Sequence, residues 1–395
     1  MVPEIDLTDP AVLGDPFTAY GHARERAPVA RLHAPGMPPL WAVTRHAEAR
    51  SVLTDERFAL STASFAHRPD VPEHCRPYMR SMLEMEGPEH ARLRRLVAPA
   101  FTARRAAAFR PRIERIVDRL LDDLARRSDD TGDGGVDLLP HLARPLPMDV
   151  ICELVGIPEA DRPRWREYGA AVAAGVGPDF ARAVPGIIEG ARAAVAARRA
   201  QPQDDVVSDL VRAQDGDRLS DTELVALVWQ LVLGGQTPTN LVANAVEALL
   251  THPDQLAALR ADPGLLPGAV EELMRWCGPQ LLAIPRHAVQ DVTLGPARIA
   301  EGDAVTVAIV AANRDPRAFA DPDVLDVARA AGPPGHLGFA HGPHFCLGAS
   351  PARVQTQVAL GALLRRFPGL RFPPGGATRV PDGGTWRLAS LPVVL

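Results

Sequence analysis

Apolar residues along this chain recur mainly at helical spacing, three and four apart, and only in short stretches alternate as a half-buried strand does. Helical periodicity covers Phe17–Ala27 and Arg45–Asp55, and the short apolar run Leu40–Val43 between them reads as a strand. It resumes near Glu89–Arg105, Ala107–Arg127, Leu139–Val155, Glu159–Val176 and Asp179–Arg199. The longest pattern, Leu219–Thr251, opens on Ser220 with Glu223 at the spacing of a reciprocal capping box. Pro267–Trp276 and Leu347–Arg366 are helical again, whereas Leu281–Val310 reads as strands and turns and Leu370–Val394 as terminal hairpins. Leu60–Glu86 has no period and holds Pro69, Pro72 and Pro77, so it is a long loop. Loops of that length inside compact domains are uncommon and often functional.

A chain of 395 residues would by length alone suggest two or three domains. No linker interrupts it, because the Asp129–Gly135 run is a polar surface loop and Arg198–Asp205 is too brief to separate domains. A net charge of −5 gives no reason to expect nucleic acid as a partner. Every basic side chain other than histidine is arginine, and the lack of lysine excludes lysine Schiff-base chemistry and lysine-based phosphate loops. The N-terminal stretch has neither a basic region nor an apolar run, and no segment reaches the ~20 apolar residues of a membrane span. Four cysteines without pattern suit a reducing compartment, so a cytoplasmic protein is expected.

Candidate chemistry concentrates at Cys346, in the Gly- and Pro-broken loop Phe339-Ala340-His341-Gly342-Pro343-His344-Phe345-Cys346-Leu347-Gly348, which runs into a helical pattern. A cysteine at a helix N-terminus meets unpaired N–H groups and the positive end of the macrodipole, both of which favour a thiolate. Gly342 and Gly348 let the backbone pass close to something large and flat. Free cysteine is also among the most buried residue types, so a core thiol is one alternative. Zinc is another, because His341 and His344 lie beside Cys346, although no nearby Cys or His completes a tetrahedral set and Cys75, Cys152 and Cys277 are scattered. The spacing F-x-x-G-x-H-x-C-x-G resembles the ligand loop of the cytochrome P-450 family, in which a Cys thiolate holds a haem iron.

That resemblance extends from about Asp15 to Pro392 and implies a mainly α fold with small β-sheets, a single domain over residues 1–395. It implies haem b as cofactor, with Cys346 as the iron ligand. Glu272 and Arg275 match the family's E-x-x-R helix. Residues three apart share a helix face and can pair, and in the family this pair is buried and anchors the segment called the meander. A third arginine often joins it; Val324 stands at that place here, so Arg329 is the expected substitute. Haem propionates need charge-assisted partners. His90 and Arg94 on one face of the Gly87–Arg95 motif, Arg286 in Pro285-Arg286-His287, and His344 in the Cys loop are expected to supply them, with Phe339 and Gly348 bordering the cofactor.

Leu231 to Asn240 resembles the family's oxygen-binding helix, in which a small pair is followed by an acid and then a threonine. Gly234 and Gly235 fit the small pair, but the acid position falls on Thr237 and the threonine position on Pro238. Proline removes one N–H and clashes with the carbonyl four residues back, at ~3 kcal/mol or more, so Pro238 is expected to open the helix beside the iron. Protons must then come through water, from Thr237 or Thr239, or from a substrate hydroxyl. Hydroxylation or epoxidation is the first expectation; oxidative ring closure or aryl coupling is the alternative, followed by peroxide use. A non-catalytic haem sensor or electron carrier is the different class, and the Gly234–Gly235 opening argues against it.

The pocket is expected to be walled by Phe65, His67, Tyr78, Met79, Met82, Leu231–Gln236, Leu282, Ile284 and Trp386. It would take a bulky, largely apolar or aromatic small molecule, in natural-product biosynthesis. The chain has no flavin or iron–sulfur motif, so electrons are expected from a ferredoxin-type partner with its reductase. Arg92, Arg95, Arg104, Arg105, Arg110 and Arg112 would steer the docking, and the protein is expected to work as a monomer.

Overall fold

Helices form where the apolar spacing predicts them, and their limits shift wherever caps or prolines override periodicity. The computed structural model describes residues 2–65, 70–132, 134–173, 178–215, 219–330 and 332–395. Asp15 caps the Pro16–Arg26 helix by accepting from Thr18 N–H, and Ser220 and Glu223 form the expected capping box on Asp221–Gly234. Thr102 caps the long Ala103–Thr131 helix, so the break after Gly87–Val97 falls at the Ala98–Phe101 turn rather than between Arg105 and Ala107. Pro145–Val155, Arg162–Ala173 and Pro178–Ala200 follow the expected pattern, and the anticipated helix end at Val176 lies outside the described residues. Val206–Asp215 and Pro253–Ala261 are helices that periodicity left out, being only 10 and 9 residues long. The long Leu60–Glu86 stretch folds into 3-10 turns at Thr62–Phe65, Glu73–Met79 and Met82–Glu84.

Among the described residues the largest sheet has six strands, in the order Glu4–Asp6, Val29–His33, Leu40–Val43, Ala304–Val307, Arg286–Ala288 and Phe58–Ala59. Leu40–Val43 pairs in parallel with Ala304–Val307, Trp41 standing opposite Val305, and Arg286 faces Val305 from the next, antiparallel strand. Neighbours on a strand point to opposite faces, and this register turns Arg286, not His287, toward the cavity described below. Near the C-terminus Thr378–Arg379 and Leu388–Ser390 form the expected hairpin. Pro392–Val394 instead pairs with Gly135–Asp137, just past the polar loop.

The largest apolar cluster joins Ala103–Thr131, Pro238–Thr251, Leu266–Cys277 and Ala349–Arg366, where Leu121, Leu124, Leu273 and Leu363 are fully buried. Another joins Arg162–Ala173, Pro178–Ala200, Val206–Asp215 and Asp221–Gly234 around the buried ring of Trp165.

One ion pair lies within this apolar framework. Glu272 and Arg275 sit one turn apart on Leu266–Cys277, each side chain only 2% exposed. The guanidinium makes two bonds of 2.7 Å to the two carboxylate oxygens. Its remaining donors reach the carbonyls of Asn313 at 2.9 Å, Pro322 at 2.6 Å and Val324 at 3.2 Å. Glu272 also accepts from Asp326 N–H at 3.0 Å, and Arg329 Nε lies 3.1 Å from it. A buried ion pair is tolerated only when its leftover donors and acceptors are satisfied in this manner. The partners here belong to an irregular segment, residues 313–329, so the pair takes the place of secondary structure in fixing that segment.

Glu272→Ala leaves Arg275 without its carboxylate in the interior and is expected to cost roughly 3–5 kcal/mol, seen as a large fall in melting temperature or as insoluble protein. Arg329→Ala removes a side chain that is 20% exposed and leaves the Arg275 bonds intact. Its cost is expected to be smaller than that of Glu272→Ala, because what is lost is its bonds to the exposed Ala320, Asp321 and Val324 carbonyls and one ion-pair contact, and no buried charge is left without its partner. Wild-type melting in Glu272→Ala would show that the pair does not order the segment.

Candidate active site

A cavity of about 1050 Å³ opens among these elements, at the upper end of the roughly 300–1,000 Å³ usual for small-molecule sites. Val150, Ile151, Leu227, Leu231, Leu233 and Leu241 give it apolar walls, and Cys346 and Gly348 border it.

Local backbone geometry presents Cys346 there. Ala340 at φ 59° and Gly342 at φ 76° are left-handed positions that fold the chain back before the cysteine. Gly342 is required for space too, since a Cβ would lie 2.8 Å from the Leu53 carbonyl oxygen. Gly348 has an ordinary φ of −81°, and a Cβ there would meet Cys346 Sγ at 4.0 Å. The two glycines therefore differ: Gly342 lets the loop pack on the His46–Thr54 helix, whereas Gly348 borders the cavity.

Cys346 N–H closes the loop on the Phe339 carbonyl at 2.8 Å. Phe339 is packed among Leu241, Met274, Ala349 and Ala352, and the Arg353 guanidinium lies over its ring at 4.6 Å. Glu271 holds Arg353 with bonds of 2.6 and 2.8 Å and takes His336 Nε2 at 3.2 Å. Burial pushes the Glu271 carboxyl up, but the His336 and Arg353 bonds overcome it and hold the group at about 2. Burial also pushes the Cys346 thiol above its ordinary value, and a Gly348 N–H bond with the Arg94 and Arg353 charges opposes this without reversing it. A coordinated metal deprotonates a thiol outright.

His90, Arg94, Arg286 and His344 border the same cavity. The His90 and His344 rings stack with centroids 4.1 Å apart. Buried Arg286 donates to the Phe58 carbonyl at 3.1 Å, and Arg94 donates to the Phe345 carbonyl. Among them lies Glu86, which in sequence is only the last residue of the long loop. It takes His344 Nε2 at 3.0 Å and Leu60 N–H at 2.9 Å, and lies 3.6 Å from Arg286. Its one signal was position, directly before Gly87, whose φ of 57° starts the His90 motif. Burial, with the His344 and Arg94 charges, pushes His90 down to about 4, and burial also lowers His344. His344 Nδ1 is buried without a partner among the described residues. A carboxylate-bearing ligand at this wall would meet Arg94 and Arg286 and would partner His344 Nδ1 in its imidazolium form.

The predicted long helix is two helices, Asp221–Gly234 and Pro238–Thr251, separated by an open turn at 235–237. Proline at the first helical position lacks only an N–H that would be unpaired anyway, which removes much of its usual cost. The carbonyl four residues back belongs to Gly234, and the Thr237 hydroxyl donates to it at 3.1 Å. Thr237 itself is exposed to the cavity. The glycines are again unequal: a Cβ on Gly234 would meet nothing within 4 Å, while one on Gly235 would sit 2.3 Å from Ile151 Cγ1.

Met79, Met82, Leu282 and Ile284 line the cavity as expected, and Thr239 does not. Tyr78 turns away from it, because Trp229 Nε1 binds its carbonyl at 3.0 Å and its ring lies under Arg192, 5.0 Å from the guanidinium. Trp386 also faces elsewhere. Its N–H and C=O bond inward to Pro279 and Asn244 at 2.8 Å, so the ring projects into a separate surface pocket, edge-on to Phe17 with Arg379 above it at 3.8 Å. The Phe65 side chain and His67 lie outside the described residues. Among the described residues no group of three His, Cys, Asp or Glu could hold a metal, which leaves the zinc alternative without a ligand set.

The cytochrome P450 family profile matches residues 180–389. Cytochrome P450 107B1 of Saccharopolyspora erythraea is 40% identical over 404 residues, spanning 99% of this chain and 96% of its own length. The mycinamicin IV hydroxylase/epoxidase of Micromonospora griseorubida is 42% identical over 361 residues, 89% of this chain and 88% of its own. The tirandamycin C-bound structure of the P450 monooxygenase TamI matches with a TM-score of 0.85 and 37% identity over 100% of both chains. The chain belongs to the cytochrome P450 family and is an oxidoreductase of the monooxygenase type. The family implies a haem whose iron is held by an axial cysteine thiolate, and of the four cysteines Cys346 borders the cavity while Cys75, Cys152 and Cys277 are buried in the apolar cores. The size of the cavity and its positive wall fit the macrocycle and its propionates. Among the described residues no helix is long and apolar enough to cross a membrane.

Cys346→Ser is expected to abolish the red-shifted Soret band of the ferrous protein under CO; its persistence would move the ligand elsewhere. Gly235→Ala drives a methyl into Ile151, and overpacking costs about 1–3 kcal/mol, so a lower melting temperature is expected. Gly234→Ala should melt no lower than wild type yet bind cavity ligands more weakly. The reverse ranking would contradict the assigned geometry.

Proposed function

We propose that the protein inserts oxygen into a bulky, largely apolar small molecule of natural-product type, with protons delivered by water or by the substrate's own hydroxyl rather than by an acidic side chain. The observation that carries this reading is the open turn at 235–237, which brings a hydroxyl and no carboxylate to the wall of a large apolar cavity. The relatives named for mycinamicin IV and tirandamycin C support the substrate class.

When bound, haem would supply oxygen-activating chemistry, in which two electrons and two protons leave one atom of O₂ for a C–H or C=C bond and the other as water. The protein's own residues do the rest. His90, Arg94, Arg286 and His344 would hold the propionates, while Phe339 and Gly348 border the ring. The apolar walls exclude bulk water, which strengthens every polar contact inside. Gly234 leaves space where Gly235 packs against Ile151. Thr237 has its proton committed to the Gly234 carbonyl, so its lone pairs accept from a water or a substrate hydroxyl and hold that donor in the opened turn.

Electrons arrive from a ferredoxin-type protein and its reductase in this reading. The arginines expected to steer it are mostly engaged: Arg92 with Glu223, Arg105 with Asp204, Arg110 with Glu114 and Arg112 with Glu153. Exposed Arg95 and Arg104 then carry more of the docking charge than the sequence suggested.

The double change Thr237→Glu with Pro238→Thr restores the acid, the alcohol and the helix N–H together. With electrons from a ferredoxin and reductase, the double variant should form product more slowly and release more peroxide per NAD(P)H than wild type. Equal or better coupling would overturn the proton-delivery reading and leave the monooxygenase class standing. Failure of ferredoxins to reduce the iron in either protein would overturn the choice of donor.

A further inference from the structure

The segment from Tyr78 to Met82 runs along the cavity, yet its backbone takes no strand partner among the described residues. Arg80 and Ser81 are extended, so the main-chain groups of this strap point sideways as they would in a sheet. Consecutive side chains of Asp221–Gly234 meet them. Gln230 Oε1 accepts from Met82 N–H at 3.2 Å, and Gln230 Nε2 donates to the Arg80 carbonyl at 3.1 Å. Trp229 Nε1 donates to the Tyr78 carbonyl at 3.0 Å. A single amide thus completes both halves of the pairing that a neighbouring strand would make.

From this geometry we infer that Gln230 is a positioning residue that sets which substrates fit, by fixing the strap against the oxygen-binding helix. The strap supplies Met79, Ser81 and Met82 to the cavity wall, with Leu83 just beyond. On its outer side Arg80 pairs with Glu89 through bonds of 2.8 and 2.6 Å, which keeps that charge out of the cavity. Gln230 and Gly234 are four apart and share a helix face. The pin is therefore one helical turn from the glycine that leaves space beside the reaction, and the separation between strap and glycine is a side-chain distance rather than a sheet spacing. Because the carboxamide must offer one acceptor and one donor, neither an apolar nor an acidic residue of similar size replaces it. The inference rests on family membership and is independent of how protons are delivered.

Hydrogen exchange and azole titration of the haem-loaded protein test it. In Gln230→Leu both bonds are lost, and exchange at Met82 N–H and its neighbours should rise about tenfold while the Asp221–Gly234 backbone stays protected. Clotrimazole, a bulky imidazole that must contact the strap, should bind several-fold more weakly by its Soret shift, with imidazole itself unchanged. Gln230→Glu keeps an acceptor for Met82 N–H and loses the donor to Arg80, so Met82 should stay protected while clotrimazole binding falls to an intermediate level. Unchanged Met82 exchange in Gln230→Leu would overturn the pinning. Equal weakening of imidazole and clotrimazole would overturn the specificity role, because a merely structural loss affects both.

Discussion

The buried pair of Glu272 and Arg275 is the interaction on which the site depends. Its worth is not mainly in net stability, since replacing such a pair by apolar residues is often neutral or better. Its effect is to specify a path. The guanidinium's spare donors and the carboxylate's spare lone pairs can be satisfied only if residues 313–329 take one irregular course past them. Asn313, whose carbonyl is one of those acceptors, passes the constraint on through its side chain, which takes Leu337 N–H at 2.7 Å at the entry to the cysteine loop. The next residue back on the helix acts on the other flank. Glu271 holds Arg353 from the helix after the loop and His336 from the segment before it. Two adjacent carboxylates on one helical turn thereby fix both ends of the loop that presents Cys346, although neither touches the cavity.

The cavity obeys a different rule, in which a local defect does chemical work. A continuous helix would satisfy the Gly234 carbonyl with a backbone N–H. Pro238 denies it that donor, restarts the helix at its own position, and leaves the carbonyl to the Thr237 hydroxyl. The cost of the proline is small because it sits at a first helical position. The opened turn and the hydroxyl are thus one feature, and a change at either residue alters both.

Motifs whose physics is local were legible in the sequence. The capping box at Ser220 and Glu223, the Glu272–Arg275 spacing and the helix opening at Pro238 each depend on residues within a few positions, whereas Gly342, expected to border something large and flat, packs on the His46–Thr54 helix instead. Arg329 lies within 3.1 Å of Glu272, where a substitute third arginine would stand. What the sequence could not show depends on distant partners. Tyr78 and Trp386 are aromatic residues in loops that do pass near the cavity, but Trp229, Arg192, Asn244 and Pro279 turn their rings away, and none of these is near in sequence. Glu86 looked like a loop terminus until His344, 258 residues away, met it.

Placing the strap on side chains rather than in a sheet has a structural consequence. Extended backbone that lacks a strand partner must find other acceptors and donors or stay wet, because unpaired buried amides cost more than the hydrogen bonds gain. A sheet edge would meet that need with main chain, and its spacing would then be fixed for any sequence. Trp229 and Gln230 meet it with side chains, so the distance between this wall and Gly234 changes with a single substitution on a helix whose own core contacts stay intact. The framework around Cys346 is the opposite case: the Glu272–Arg275 pair ends on main-chain carbonyls and an amide while Glu271 ties two helices together through Arg353, so several bonds hold the loop at once. One molecule therefore combines a reaction centre that tolerates little change with a binding wall that one amide can re-set.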